Sequence, residues 1–332
     1  MTFYDKYFIK KQIKAYIISL EEPKLLFNTL ENQNITPILV ESINSNNLTQ
    51  DIKNKNASYF YSKFGSNNSI ANGMSHIKTW KKILESKDPY GIVLEDDIVL
   101  STDFYDKIMT YIKNLPKDYD LFYLGCFGCQ NNLNSVNIIC NSIGLGNFDF
   151  VKINKYINKP SISLGVHAYV ISRDGIKKLL KLLEGKLYFN IDLCLQLLAK
   201  NNEINVYSPT NRLAYRELSN PNIYSNIENN TPLILNNLLS KIYIDEKCKL
   251  SYITTLSLFK YDKYNFTISS ILFILFGFHL GNYNYNFYEM SLFYLILSIP
   301  DLVHIDNISI KIHYLLFITS FLISKKINSS NN

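Results

Sequence analysis

Three consecutive carboxylates, Glu95, Asp96 and Asp97, follow the apolar run 91–94 and have the composition of a cation site. In open α/β sheets, ligands bind beyond the carboxyl ends of the strands. If the backbone stays extended, Glu95 and Asp97 point to one side and Asp96 to the other. Adjacent carboxylates repel one another unless a cation is near. Hard divalent ions such as Mg²⁺ bind carboxylates together with substrate phosphates.

We therefore predict that Glu95 and Asp97 bind Mn²⁺ or Mg²⁺. The alternative is an acidic strand end that only stabilises the dipole of the next helix.

The segments that must position these carboxylates alternate between strand-like and helix-like patterns, which predicts a doubly wound, largely parallel α/β sheet. Strands are predicted at residues 15–20, 37–40, 91–94, 120–125, 168–172 and 204–207. Helices are predicted at residues 24–34, 74–84, 104–112, 176–183 and 191–200. Residues 44–68 are polar and predict an irregular connection, while Ser101 or Thr102 is expected to cap the helix that follows. Residues 173–175 are expected to form a turn before their helix.

The bulk composition fits a globular protein, with 47% hydrophobic and 19% charged residues, which excludes a disordered chain. The net charge of +6 comes from scattered lysines, so nothing favours a nucleic-acid partner. Five scattered cysteines indicate a reducing compartment rather than a disulfide framework. Cys126 and Cys129 have C-x-x-C spacing, but without a second such pair we expect no zinc site or redox centre there.

Several short motifs resemble glycosyltransferase family 25, which includes bacterial lipooligosaccharide glycosyltransferases and collagen galactosyltransferases. The resemblance covers residues 13–217. Its motifs are the opening strand with its Ile-Ser-Leu end, residues 72–76 followed by Trp80, the strand with Glu-Asp-Asp, residues 120–125, residues 167–172 followed by Gly175, and Ile191-Asp192. The family usually carries arginines after the first strand, where this chain has Glu21-Glu22-Pro23-Lys24.

The resemblance implies a GT-A-like fold, a doubly wound mixed sheet. It also implies metal-dependent transfer of a sugar, galactose or glucose, from a nucleotide-sugar donor such as a UDP-sugar to a glycan or protein hydroxyl, with inversion. On this basis Asp192 is the candidate base and Asp97 a second catalytic residue. Donor-binding residues would be Ser19, Lys24, Ser75, His76, Glu95, Asp96 and His167.

Each of these assignments has a plainer alternative. Asp192 can be a carboxylate at a helix N-terminus, and His76 can be a packed histidine. His167 can bind diphosphate or acceptor, or neither. Trp80 is expected in the core. Arg212 and Arg216 follow the last predicted strand, and either can contact phosphate, although we expect them on a solvated face.

The C-terminal part changes in character, because residues 264–288 contain no Asp, Glu, Lys or Arg. We predict a glycosyltransferase domain over residues 1–245 and a hydrophobic helical region over 246–332. The apolar runs are short for crossing a membrane. They favour membrane association, against a helical subdomain or an oligomer interface.

The charged N-terminus does not resemble a signal peptide, so the cytoplasm or the cytoplasmic face of a membrane is expected. The competing hypotheses are a non-catalytic relative that binds glycans or membranes, and an integral membrane protein with an acidic domain.

Overall fold

The computed structural model describes residues 13–129, 150–216, 233–245 and, with short gaps, most of 248–331. The chain forms two compact units. Unit 1 consists of Met1–Ser219 with Ile244–Lys247, and unit 2 of Asn220–Tyr243 with Cys248–Asn332. The domain boundary predicted at residue 245 stays a prediction.

Unit 1 contains ten described strands up to residue 216. They are β1 (Ile13–Ser19), β2 (Ile35–Glu41), β3 (Tyr90–Glu95), β4 (Ile98–Leu100), β5 (Leu121–Phe127), β6 (Val151–Lys152), β7 (Ile157–Lys159), β8 (Leu164–Ser172), β9 (Val206–Pro209) and β10 (Ala214–Arg216). Eight of them form one sheet in the order β2-β1-β3-β8-β5-β9-β7-β6, while β4 pairs with β10.

The sheet is mixed rather than largely parallel. Strand β1 pairs in parallel with β2 and β3, and β5 pairs in parallel with β9. Strand β8, however, lies antiparallel between β3 and β5. The expectation of a largely parallel sheet was therefore wrong for the centre, because side-chain patterns report burial and not strand direction.

Helices cover both faces of this sheet. They are α1 (Lys24–Glu31), α2 (Gln50–Asn56), α3 (Tyr59–Phe64), α4 (Asn67–Glu85), α5 (Phe104–Asn114), α6 (Arg173–Leu183) and α7 (Ile191–Lys200). One core joins residues such as Val93 to Trp80 of α4 and Leu195 of α7. A second core joins Ile92 to residues of α1 and α5 on the opposite face. This confirms the predicted helices on two faces and the core position of Trp80.

Three local predictions were wrong. The connection 44–68 contains α2 and α3, each capped by a side chain, Thr49 or Ser58. The N-cap of α5 is Asp103 rather than Ser101 or Thr102. Helix α6 begins at Arg173 directly after β8, because the Ser172 side chain accepts a hydrogen bond from the Gly175 N–H and so caps the helix.

Cys126 and Cys129 form a disulfide at the end of β5. This corrects the expectation of reduced cysteines for that pair. Cys194 is a free, buried thiol. Residues 130–149 lie outside the described residues.

The remaining described elements lie in or beside unit 2. They are α8 (Leu233–Leu239), β11 (Tyr243–Asp245), β12 (Cys248–Lys249), β13 (Ser257–Tyr261), β14 (Tyr264–Thr267), α9 (Ile268–Gly281), α10 (Phe287–Leu302) and α11 (Ser309–Asn331). Strands β13 and β14 pair antiparallel. Helices α9, α10 and α11 pack around a small core of their own. Within the described parts of the chain, none of the helices combines the length and the apolarity that crossing a bilayer requires.

Candidate active site

The three carboxylates lie where β3 ends and the chain turns into β4. The Arg216 side chain on β10 contacts two of them. Its Nε donates a hydrogen bond to Asp97 Oδ2 at 2.5 Å, and its Nη2 lies 3.6 Å from Glu95 Oε2. Strand β10 pairs with β4 so that Arg216 is opposite Ile98, which brings its guanidinium to the carboxylates. The expectation that Arg216 lies on a solvated face was wrong.

Asp96 contacts a different partner, and the chain forms a turn at Asp96 and Asp97 instead of staying extended. Asp96 Oδ2 accepts a hydrogen bond from Ser19 Oγ at 2.5 Å. Ser19 is the last residue of β1, and the parallel pairing of β1 with β3 places Ile18 opposite Glu95. The structure therefore brings the predicted donor residues Ser19 and Asp96 together at the carboxyl ends of two neighbouring strands.

A chain of hydrogen bonds runs from the core to Glu95. Trp80 Nε1 donates to the Tyr169 hydroxyl at 2.8 Å, and that hydroxyl lies 2.9 Å from His76 Nδ1. His76 Nε2 lies 3.4 Å from Glu95 Oε1. If the Tyr169 O–H donates to Nδ1, the imidazole proton sits on Nε2 and points at Glu95. His76 is fully buried, so it is a packed histidine that also orients a carboxylate.

Asp192 lies in the first turn of α7, but it does not cap that helix. The Asn190 side chain is the cap and accepts from the Leu193 N–H. Asp192 Oδ1 instead accepts a hydrogen bond from the Val166 N–H on β8 at 3.1 Å. The helix end and the sheet therefore hold this carboxylate in one place, and its charge interacts with Glu95 and Arg216.

His167 lies on β8 inside the same cluster and is buried. A Cβ at Gly125 of β5 would come within 2.9 Å of its Nε2, so the glycine leaves room for the ring. Arg212 is also buried rather than solvated, and its Nη2 donates to the Cys126 carbonyl at 2.8 Å. The expectation of a solvated Arg212 was wrong because the side chain turns inward to the end of β5.

The cluster separates the pKa values of its carboxyl groups. Burial raises the pKa of Glu95, but the hydrogen bond from His76 and the charge of Arg216 outweigh it and lower that pKa to about 2. Burial and, further down, the charge of Glu95 raise the pKa of Asp97 to about 6, although Arg216 opposes them. Burial and the charge of Glu95 raise the pKa of Asp192 to about 6. Burial and then Arg216 lower the pKa of His167 to about 3. Glu95 is thus the fixed anion, and His167 is neutral at pH 7.

Two predicted donor-binding residues lie elsewhere. Lys24 is exposed at the start of α1, and no hydrogen bond or ion pair joins it to another described residue. Ser75 is buried, where its hydroxyl donates to the Ala71 carbonyl and accepts from the Ile43 N–H. Ser75 therefore ties α4 to the chain after β2, and its contact with a donor stays a prediction.

A cavity of about 390 Å³ opens beside Ser75. Its lining joins the chain that follows β1 and β2 to α4, and it offers both polar and apolar groups. Its residues include Glu41, Asn44, Asn47, Leu48, Met74 and Lys78.

One carboxylate oxygen of the cluster, on Asp97, fits the binding of a divalent ion. Asp97 Oδ1 is buried and makes no hydrogen bond to any described residue, so one oxygen of this carboxylate is open to a cation. Both Glu95 oxygens face protein donors, His76 and Asn72 on one and Arg216 on the other. Across the part of the chain that the structure describes, no group of three or more His, Cys, Asp or Glu residues has a metal-binding arrangement. Glu95 as a metal ligand stays a prediction.

Sequence reasoning missed Arg216 as a member of the site, and it quoted Asn72 and Tyr169 only as parts of motifs. An arginine after a short last strand carries no signal of its own. Only the pairing of β10 with β4 shows that it faces the acidic turn.

Comparison with known proteins supports the resemblance to glycosyltransferase family 25. The sequence model of glycosyltransferase family 25 (LPS biosynthesis protein) matches residues 12–195, more than half of the chain. No curated protein matches it. Among solved structures, the crystal structure of A197 from STIV is similar at 11% identity, over 60% of this chain and 81% of that one, with a TM-score of 0.30. That value is too low to support an argument.

Proposed function

This chain belongs to glycosyltransferase family 25, and from that premise we propose that it transfers a hexose, galactose or glucose, from a UDP-sugar to a hydroxyl of a glycan or protein. The family supports glycosyltransferase activity and a sugar donor. The donor nucleotide, the hexose, the metal and inversion at the anomeric carbon are parts of the proposal, and so is the predicted cytoplasmic location.

The observation that carries the proposal is the acidic turn with its cation, Arg216, at the carboxyl ends of β1 and β3. A departing nucleoside diphosphate carries negative charge, which a guanidinium can bind with two parallel hydrogen bonds. Arg216 makes one short bond to Asp97 and one long contact to Glu95. In this proposal the same guanidinium also contacts a phosphate oxygen of the bound donor.

A divalent ion, Mn²⁺ or Mg²⁺, would be held by Asp97 through Oδ1 together with oxygens of the donor diphosphate. When bound, it would supply charge neutralisation for the leaving group. Burial raises the pKa of Asp97 to about 6. A cation bound to this carboxylate would favour its ionised form and so oppose the effect of burial.

Asp192 is the proposed general base. It must take a proton from the acceptor hydroxyl, and the efficiency of a base is greatest when its pKa lies near the working pH. Burial raises its pKa to about 6, so it is mostly ionised at pH 7 yet more basic than an exposed aspartate. The Val166 N–H fixes one oxygen, and the other stays available for the hydroxyl.

The cavity between the end of β2 and α4 is the proposed nucleoside site. Asn44 and Asn47 offer amide groups for a base, while Leu48 and Met74 offer apolar surface. A site of this kind combines a mostly apolar wall with a few polar groups that fix orientation.

The test is a donor screen by thermal shift and calorimetry. We expect UDP-sugars to bind more tightly than GDP- or CMP-sugars, with binding and turnover dependent on Mn²⁺ or Mg²⁺. Asp97→Asn should reduce turnover at least ~100-fold, by the usual effect of losing transition-state electrostatics. The matched control is Asp103→Asn, an exposed aspartate paired with Lys107, which should keep full activity.

Full activity of Asp97→Asn would refute the proposal. UDP binding without any transfer, whatever the acceptor, would favour the non-catalytic alternative.

A further inference from the structure

The helical unit buries several small polar side chains and exposes many large apolar ones. Ser269 and Ser270 of α9, Ser298 of α10 and Ser320 and Ser324 of α11 are all buried. Large apolar residues on the same three helices are exposed by between 41% and 62%: Leu275, Phe278, Leu292, Leu295, Ile299 and Leu315. In water, burial of apolar surface drives folding, and this arrangement gives up much of that gain.

The buried polar groups are satisfied within the unit. Ser270 Oγ and His313 Nε2 lie 3.1 Å apart, and Ser324 Oγ donates to Asn282 Oδ1 at 2.9 Å. Ser298 and Ser320 bond to carbonyls of their own helices. These hydrogen bonds satisfy the inward serines without water, while the exposed charged residues Glu289, Lys311 and Lys326 lie near the ends of α10 and α11.

The contact between α9 and α11 uses small residues. A Cβ at Gly277 or Gly281 would clash with the α11 backbone at Phe317 or Phe321 and with the side chains of Ser320 or Ser324. Each helix thus contributes two small residues four positions apart, Gly277 and Gly281 on α9 and Ser320 and Ser324 on α11, which allows close approach of their backbones. Packing of small residues, with large apolar ones facing outward, is the usual arrangement of helices in lipid.

One end of the unit carries aromatic and basic residues. Tyr283, Tyr285 and Tyr288 are exposed where α9 ends and α10 begins. The Lys325 ammonium donates to the Tyr285 carbonyl, so the C-terminal part of α11 lies at the same end. Tyrosine and lysine at the edge of an apolar surface are typical of the boundary between lipid headgroups and acyl chains.

We propose that α9, α10 and α11 together insert from one side into a lipid bilayer, with their outward stripes among the acyl chains and the tyrosine and lysine end among the headgroups. Each stripe faces away from the common core of Phe273, Tyr294 and Phe317. The outward stripes of the three helices face in different directions. A flat protein partner would cover only one of these stripes, whereas lipid would surround all three. The 14 residues of α9 span about 21 Å, less than the roughly 30 Å of a hydrocarbon core, so α9 does not reach across it.

The test is flotation of the full chain with neutral phosphatidylcholine vesicles at 0.1 and 0.5 M NaCl. We expect the protein to float with the vesicles equally at both salt concentrations, because the outward stripes are uncharged. Leu275→Gln/Leu292→Gln should lower the partition coefficient at least ~10-fold, since each leucine contributes through its buried area.

The matched control is Leu25→Gln/Tyr59→Gln. It removes two apolar side chains of unit 1 that are even more exposed, 82% each, and it should float like the unchanged protein. Protein that stays in the buffer fraction, whether monomeric or dimeric by sedimentation, would overturn the proposal. So would equal losses in the two double variants. Neither result depends on transferase activity.

Discussion

Both units of this chain have an apolar core, but they differ in the polar groups that they bury and in the apolar side chains that they expose. Unit 1 has an apolar core on both faces of its sheet, and at one edge it holds Glu95, Asp97 and Asp192 against Arg216. Unit 2 places serines and a histidine inside and exposes leucines and isoleucines. Buried charge is costly unless it is paired, so unit 1 must hold its carboxylates in fixed geometry. Unit 2 contains almost no charge between residues 264 and 288 and needs no such pairing.

The two proposals assign different surroundings to the two units. In them, the carboxylates of unit 1 bind a charged ligand from water, and the outer face of unit 2 contacts lipid. Variants that break one arrangement should leave the other intact, and the following predictions proceed from the largest expected effect to the smallest.

The largest effect should come from Asp192→Asn. Loss of a general base lowers kcat by about 10²–10⁴, while the amide can still accept the hydrogen bond from the Val166 N–H. Single-turnover kinetics should show slow chemistry with donor affinity within about twofold of normal, by the ordinary separation of binding from chemistry. An unchanged kcat would remove Asp192 from the mechanism.

Arg216→Met should be next. It leaves Asp97 and Glu95 without their cation, and we expect about 2 kcal/mol of destabilisation, below the value for a fully buried pair because Arg216 is 24% exposed. Turnover should fall by more than the loss of folded protein accounts for. Lys178→Met is the control, because it also strips a buried carboxylate, Asp120, of its cation, but far from the carboxylate turn. Denaturant unfolding and initial rates distinguish the two, and equal turnover in both variants would contradict the role of Arg216.

Gly277→Ala should disturb only unit 2. Its Cβ would clash with the Phe317 carbonyl, and overpacking costs about 1–3 kcal/mol. Ile274→Ala on the outer face of the same helix is the control and should cost less in detergent. We expect hydrogen exchange in α9 and α11 to accelerate for the glycine variant alone. Loss of exchange protection in β3 as well would show that the units are not independent.

A matched pair of tyrosines tests the buried network of unit 1. Tyr169→Phe removes the partner of both Trp80 and His76 and should cost about 1–3 kcal/mol. Tyr16→Phe removes a buried hydroxyl that has no partner among the described residues, and it should be neutral or stabilising. Thermal unfolding of the two variants measures this difference. Equal shifts of Tm in both variants would contradict a stabilising role of the Tyr169 hydrogen bonds.

The smallest effect concerns pH. Because burial raises the pKa of Asp192 to about 6, the ionised base is lost as pH falls below 6, and activity should rise with pH through that value. With saturating donor and metal, which keeps Asp97 ionised, we expect kcat at pH 5 to be about one tenth of its plateau, as a single ionisation gives. A profile that is flat between pH 5 and 7 would exclude a base with this pKa.

Much of unit 1 followed from local pattern. Apolar runs predicted β1, β3 and β8 within a few residues, and α7 was predicted from end to end, because alternation and spacing of apolar residues report burial directly. The acidic turn was selected from the sequence because adjacent carboxylates repel one another unless a cation is near, and its role as a metal site stays a prediction. The antiparallel direction of β8 could not be predicted, because a strand buried on both faces has the same pattern in either direction.

The sequence by itself determined the elements, the acidic turn and the uncharged C-terminal stretch, since each is a property of neighbouring residues. Only the tertiary structure decided which cation meets Asp97 and Glu95, because Arg216 lies 119 positions after Asp97 and reaches it through the pairing of β10 with β4. It likewise decided that the serines of unit 2 face inward, since that depends on which faces of α9 and α11 pack together.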